Sequence, residues 1–349
     1  MTSKERVRTA LSKKVPDRVP VYADFVPGVS KRLMEYMKIY TEPELSIALG
    51  NDMILTGHGI STSYYQKEDD EYICEWGCKW KYFRNATGRH PEIIYHPLEE
   101  DEDGSLAKAY KIPDPYKEER YEGSGELIRK YGKDYWIVGS IPCSIYEASW
   151  YLRGMERFME DMYLNKEYAN ELLDKVMEFP LVAGKKLIDL GVDMLWLGDD
   201  VGMQTGMMMS PATWREYFKP RMAKLISEFK KANPDIKVAY HSCGNVEKII
   251  PELIEIGLDV LNPVQPLAMN PAVLKEQYGE KLCFWGSIDV QGTLPNGTKE
   301  DIKNEVKLRM RTIGKNGGLV LSPAHSVQCD TSTENVLAFY EAAKEFGKY

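Results

Sequence analysis

No stretch of the 349-residue chain is apolar for long enough to cross a bilayer, and Lys and Arg form no clustered stripe. The first absence excludes a membrane-spanning helix. The second argues against a nucleic-acid partner, because neutralising phosphates needs grouped cations. Acids outnumber bases 53 to 45, for a formal net charge of −8. Cysteine is sparse: Cys74, Cys78, Cys143, Cys243, Cys283 and Cys329 are scattered along a long chain, without the density of a secreted disulfide scaffold. The opening Met-Thr-Ser-Lys-Glu-Arg lacks the apolar core of a secretory signal. GxxxxGK[ST], GxSxG and the dinucleotide-binding glycine fingerprint are all missing. A soluble, cytoplasmic protein is expected. Its 43% hydrophobic and 28% charged residues are globular proportions, which exclude global disorder.

Eight short apolar runs are present, each bounded by turn chemistry: 18–25, 52–59, 137–144, 193–200, 237–244, 258–265, 282–289 and 318–325. Helical patterns lie between them. Ser210 followed by Pro211 reads as an N-cap with proline in the first turn. Thr298 opens a helix carrying the stripe Ile302, Val306, Met310 and Ile313. Thr331, with Glu334 three residues on, suits the cap of a last helix. Regular β-then-α alternation implies a parallel sheet, and eight units favour an α/β fold of the (β/α)8 TIM-barrel type. Residues 60–112 break the rhythm with roughly alternating, hairpin-like sequence. They are expected as a β-rich insertion after the second strand, covering the barrel mouth. Glu99–Asp103 within it reads as a solvated turn, and Cys74 and Cys78 as structural.

Barrel active sites lie at the carboxyl ends of the strands. Those ends carry Asp24, His58, Cys143, Asp199, Asp200, His241, Cys243, Asn262, Gln265, Asp289 and His325, with Cys329 just beyond. His241-Ser242-Cys243 is the sharpest element. Residues i and i+2 of a strand share a face, so imidazole and thiol converge while Ser242 turns away. Zinc favours this mixture of nitrogen and sulfur. A further ligand must come from another strand end, and His325 and Cys329 can supply one or both. Asp199 and Asp200 are adjacent, so one faces the pocket while the other caps or pairs. Met203, Met207, Met208 and Met209 read as core filler or as a soft wall for a substrate.

These motifs give the chain a resemblance to the uroporphyrinogen decarboxylase superfamily. Its carriers are Arg18-Val-Pro-Val, Gly198-Asp-Asp-Val-Gly-Met-Gln, His241-Ser-Cys-Gly-Asn, Gly257-Leu-Asp, Phe284-Trp-Gly-Ser-Ile-Asp, Gly317-Gly and Ser332-Thr-Glu-Asn. The resemblance implies a (β/α)8 barrel. The superfamily's decarboxylases grip a polycarboxylate with an arginine-rich segment near the amino terminus, where this chain has Ala23-Asp-Phe-Val-Pro-Gly-Val. The His-x-Cys motif is instead similar to that of the zinc-dependent, corrinoid-linked methyltransferases, including coenzyme M methyltransferases and O-demethylases. The resemblance thus implies zinc ligation by His241 and Cys243. It leaves the third ligand between Cys329, slightly favoured as the stronger thiolate donor, and His325. It also implies methyl transfer between a small molecule, best matched by a methoxylated aromatic, and a corrinoid carried by a partner protein. Asp199 or Asp200 and Gln265 would orient the substrate, with Met203, Met207 and Trp285 as apolar contacts. The alternatives are a metal-independent decarboxylase and a non-catalytic corrinoid- or ligand-binding protein.

Overall fold

The computed structural model describes residues 1–58, 71–85 and 88–349. Seven strands, Met53–Gly57, Trp136–Ile141, Met194–Gly198, Lys237–His241, Val260–Val264, Cys283–Ile288 and Leu319–Pro323, pair in chain order into one curled sheet. Every pairing is parallel. Helices cover the outer face, so the strands are buried on both sides and read as continuous apolar runs rather than alternating ones.

The buried apolar residues divide into two groups, one for each face of the sheet. Met53, Trp136, Val138, Met194, Ala239, Val260, Cys283, Trp285 and Val320 pack together inside the curl, with Val7 and Leu11 of the first helix, Ser3–Leu11, among them. Their strand neighbours Ile54, Ile137, Leu195, Val238, Leu261, Phe284, Leu319 and Leu321 belong to the larger outer core under the helices. This is the period-2 alternation of a strand, applied here to two apolar environments. Because the first helix packs against the start of the strands, their carboxyl ends are left for the site.

Residues 18–25, expected as the first strand, do not form one. They make only isolated parallel bridges, Val21 to Leu321 and Phe25 to Val327. Pro20 has no N–H to donate. The N–H groups of Val21 and Ala23 go to the side chains of Asp52 (2.9 Å) and Asn51 (3.0 Å) rather than to a ladder. The carbonyls still reach both edges: Pro20 O accepts from Leu321 N at 2.9 Å, and Val21 O from Asp52 N at 2.8 Å. The segment therefore fills the seam between the last and first strands without becoming regular. Asp52, fully buried there, accepts from the guanidinium groups of Arg6 and Arg18 at 2.7 Å each.

The helix caps largely follow the sequence. Ser210 accepts from Thr213 N ahead of Pro211, and Thr298 forms a capping box with Asp301. The last helix, Thr333–Phe346, is capped one residue later than expected, by Ser332 accepting from Asn335 N. Within the expected 60–112 segment, Glu71–Ile73, Lys79–Asn85 and Gly88–Tyr95 form a three-stranded antiparallel sheet. Residues 59–70 and 86–87 lie outside the described residues. Cys74 and Cys78 are both buried and unbridged. The acidic turn is not simply solvated: Asp101 is buried, and its carboxylate takes the N–H groups of Leu106 (3.1 Å) and Ala107 (2.7 Å). Among the described residues, no helix is long and apolar enough to cross a membrane.

Candidate functional site

A cavity of about 970 Å³ opens at the carboxyl ends of the strands. Tyr22, Leu55, Trp196 and Trp285, the uppermost inward side chains, form its floor. His241 ends the fourth strand, and Cys243 follows two residues on. Between them, Ser242 is fully buried and its hydroxyl accepts from Val201 N at 3.0 Å. The i, i+2 convergence leaves His241 Nε2 and Cys243 Sγ 3.5 Å apart. His325, beyond the seventh strand, completes a group of three whose ligand atoms all lie within 4.8 Å of one another.

Cys329 is not part of that group. It is exposed, near the helix Pro27–Met37, where a Cβ added to Gly28 would meet its Sγ at 3.0 Å. The slight sequence preference for a second thiolate weighed ligand strength. The chain instead bends after Leu319–Pro323 so that the nearer residue, His325, faces His241, with ring centroids 6.1 Å apart.

Asn262 fixes the imidazole. Its Oδ1 accepts from Trp196 Nε1 and faces His241 Nδ1, both at 2.7 Å, while its Nδ2 donates to Trp285 O at 3.4 Å. This network assigns the proton to Nδ1 and leaves the Nε2 lone pair facing Cys243 and His325. Burial lowers the pKa of His241, keeping the ring neutral and able to ligate. Burial, with Asp200 and Glu147 nearby, pushes the Cys243 thiol well above its ordinary value. A thiolate there calls for a cation beside it, and two nitrogens with one sulfur suit zinc. Three protein donors leave a fourth tetrahedral position free, as in catalytic rather than structural zinc sites.

The two adjacent acids part company. Asp200 lines the cavity, accepts from Cys243 N at 2.7 Å and lies 3.6 Å from His241 Nε2. Asp199 turns inward and is nearly inaccessible. It accepts from Ser144 Oγ (2.8 Å), Ile145 N (2.7 Å) and Glu147 N (2.8 Å) at the start of the helix Tyr146–Arg153. Burial pushes its carboxyl up to about 6 despite those donors. Its place is that of a brace, not of a substrate contact.

Of the other expected contacts, Trp285 and Gln265 line the cavity, although Gln265 Oε1 is taken by Gly244 N at 2.6 Å. Met203 and Met207 do not line it. They lie on a small hairpin, Met203 half-exposed and Met207 packed on the outer core. Gly244 lets that hairpin approach: at φ 79°, a Cβ there would sit 2.6 Å from Met203 N. Gly202-Met and Cys243-Gly thus mark backbone contact rather than a methionine wall. His58 packs edge-on to Phe179, and Asp289 takes the N–H groups of Gln291 and Thr293.

Two acids of the site, Glu147 and Asp330, carry no signal in the strand-end pattern of the sequence. Glu147 lines the cavity from the helix after Trp136–Ile141, and its carboxyl accepts from Tyr151 Oη at 3.3 Å and from the backbone N–H of Asp200. Burial and the neighbouring acids raise its pKa well above the ordinary carboxyl range. It sits past the strand end, inside a helix, where strand-end reading does not look. Its only signal is the short connection from Ile141.

The uroporphyrinogen decarboxylase (URO-D) family model matches residues 76–346, most of the chain. The chain belongs to the uroporphyrinogen decarboxylase family. Within that breadth it is similar to methyltransferases. The methylcobamide:CoM methyltransferase MtbA of Methanosarcina acetivorans is 22% identical over 352 residues, covering 99% of this chain and 98% of its own. A methylated-thiol–coenzyme M methyltransferase of Methanosarcina mazei is 25% identical over 257 residues, 73% of this chain and 63% of its own length. A solved methyltransferase structure from Methanosarcina mazei superposes with a TM-score of 0.75 at 22% identity, covering 99% of each chain. That superposition places the curled sheet in the barrel fold of the family.

Proposed function

We propose that this member of the uroporphyrinogen decarboxylase family is a zinc-dependent methyltransferase. It moves a methyl group between a small substrate, best matched by a methoxylated aromatic, and a corrinoid carried on a partner protein. The observation that carries the reading is the convergence of His241 Nε2, Cys243 Sγ and a His325 ring nitrogen beside an open, aromatic-floored cavity. The full-length similarity to a methylcobamide:CoM methyltransferase supports methyl transfer with a corrinoid.

His241, Cys243 and His325 would hold zinc, which when bound supplies Lewis-acid polarisation of the ether oxygen. The corrinoid supplies the nucleophile. The chain's own residues do the rest. Asn262 holds the His241 ring with Nε2 toward the other two donors. Asp200 anchors the Cys243 backbone. Tyr22, Trp196 and Trp285 offer an apolar bed for an arene. Cleavage of the methyl–oxygen bond would leave its electron pair on the phenolic oxygen. Glu147, whose burial favours the protonated carboxyl, would donate a proton to the departing oxygen.

The test is zinc content per chain, followed by methyl transfer from a panel of methoxyarenes to Co(I) cobalamin. Near-stoichiometric zinc that is lost in His241→Ala, together with methylcobalamin formation, is the expected result. Folded protein that holds no zinc and methylates nothing in the panel would overturn the reading in favour of a metal-independent decarboxylase or a binding protein.

A further inference from the structure

The same cavity is one-sided in charge. Asp24, Asp200 and Asp330 line it, beside Glu147, whose burial favours the neutral carboxyl. Among the described residues none of these four is ion-paired with a lysine or arginine, and none of the described lining residues is Lys or Arg. Asp24 is held by the Ser326 hydroxyl, and Asp200 by Cys243 N and its approach to His241. A divalent ion at the three donors would be offset by the Cys243 thiolate and Asp200, with Asp24 and Asp330 still beyond it.

Below these acids lie electron-rich faces. Tyr22 and Trp285 meet edge to face with centroids 5.2 Å apart, and Trp196 tilts against His241 at 4.8 Å. Aromatic faces stack on an arene and also attract a cation, and unpaired carboxylates add to the preference for positive charge. Both features work against an anion. At an effective dielectric of about 20, one carboxylate about 8 Å away shifts a dissociation constant roughly thirtyfold, less where solvent screens it.

We propose that this cavity selects cationic or neutral methyl-bearing molecules and rejects those carrying a carboxylate or sulfonate. The preferred substrate class is a methoxyarene bearing a protonated amine. The proposal rests on the cavity being the methyl-substrate site.

The experiment uses full-length, zinc-replete protein without corrinoid. Binding of three matched probes is read by tryptophan fluorescence and calorimetry: para-methoxybenzylamine, para-methoxybenzyl alcohol and para-methoxybenzoate. The amine is expected to bind at least about tenfold more tightly than the benzoate, with the alcohol between them. Asp24→Asn and Asp330→Asn should each narrow that ratio by about threefold, and high salt should narrow it further. Both variants keep side-chain shape, and Asp24→Asn keeps an acceptor for Ser326. Benzoate binding as tightly as the amine, a ratio unchanged in the double variant, or no binding by any of the three would overturn the proposal. The charge order persisting without any methyl transfer would instead remove the methyltransferase reading and leave this one standing.

Discussion

His241 Nδ1, at the end of the fourth strand, and Asn262 Oδ1, midway along the neighbouring parallel strand, lie 2.7 Å apart. The amide thereby chooses the imidazole tautomer, since the same oxygen already accepts from Trp196. Partners behind a ligating histidine are worth about 10–100-fold in metal affinity. Asn262→Ala should therefore weaken zinc binding by about that factor, measured by competition with a chromophoric chelator, while Asn262→Asp retains an acceptor and most of the affinity. Unchanged affinity in Asn262→Ala would show that the amide plays no part in orienting the ring.

The third donor can be assigned by metal content alone. His325→Ala should leave well under one zinc per chain after dialysis, whereas Cys329→Ser should retain the wild-type amount. Cys329 Sγ faces Gly28 rather than the cavity. The reverse pattern would require the segment after Pro323 to rearrange on binding metal.

Much of this site was legible because strand geometry is local. The period of two alone puts His241 and Cys243 on one face and hides Ser242. Strand ends alone nominate Asp200, Gln265 and His325. What was not legible depends on where the chain goes after a strand ends. His325 and Cys329 are four residues apart in a non-repeating loop, so no periodicity decides between them. Glu147 enters from a helix. The methionine loop reads as core filler or as a pocket wall; Gly202 and Gly244 turn it into a backbone-packed hairpin whose Met207 rests on the outer core. The fold shows the same division: seven strands follow apolar runs, whereas 18–25 is apolar but irregular because Asn51 and Asp52 side chains take its N–H groups.

Asp52 offers a direct test of that seam. Its fully buried carboxylate joins Arg6, Arg18, Ser3 Oγ and Val21 N, tying the irregular segment and the first helix to the sheet. Removing one member of such a buried charged cluster leaves the others uncompensated, at about 3–5 kcal/mol. Asp52→Ala should lower the urea midpoint accordingly, with zinc per folded chain unchanged. A shift within about 0.5 kcal/mol, typical of surface substitutions, would show that the seam is held elsewhere.

Adjacent Asp199 and Asp200 should give opposite phenotypes. Asp199 satisfies Ser144 and two backbone N–H groups where the helix Tyr146–Arg153 begins, and Glu147 is the residue whose N–H it holds. Asp199→Ala removes three hydrogen bonds to a buried carboxylate, each worth about 1.5–3 kcal/mol when made to a charged group, partly recovered by relaxation. A loss of several kcal/mol is expected in urea unfolding, with local disorder at Glu147. Asp200 is more exposed, and its loss exposes Cys243 N to the cavity rather than burying it unpaired. Asp200→Ala should therefore unfold within about 1 kcal/mol of wild type while methyl transfer falls at least tenfold, because the carboxylate beside His241 and the anchor of Cys243 are both gone. Equal destabilisation by the two substitutions would mean that Asp200 is also a brace. An active Asp200→Ala protein would remove it from the methyl-transfer site.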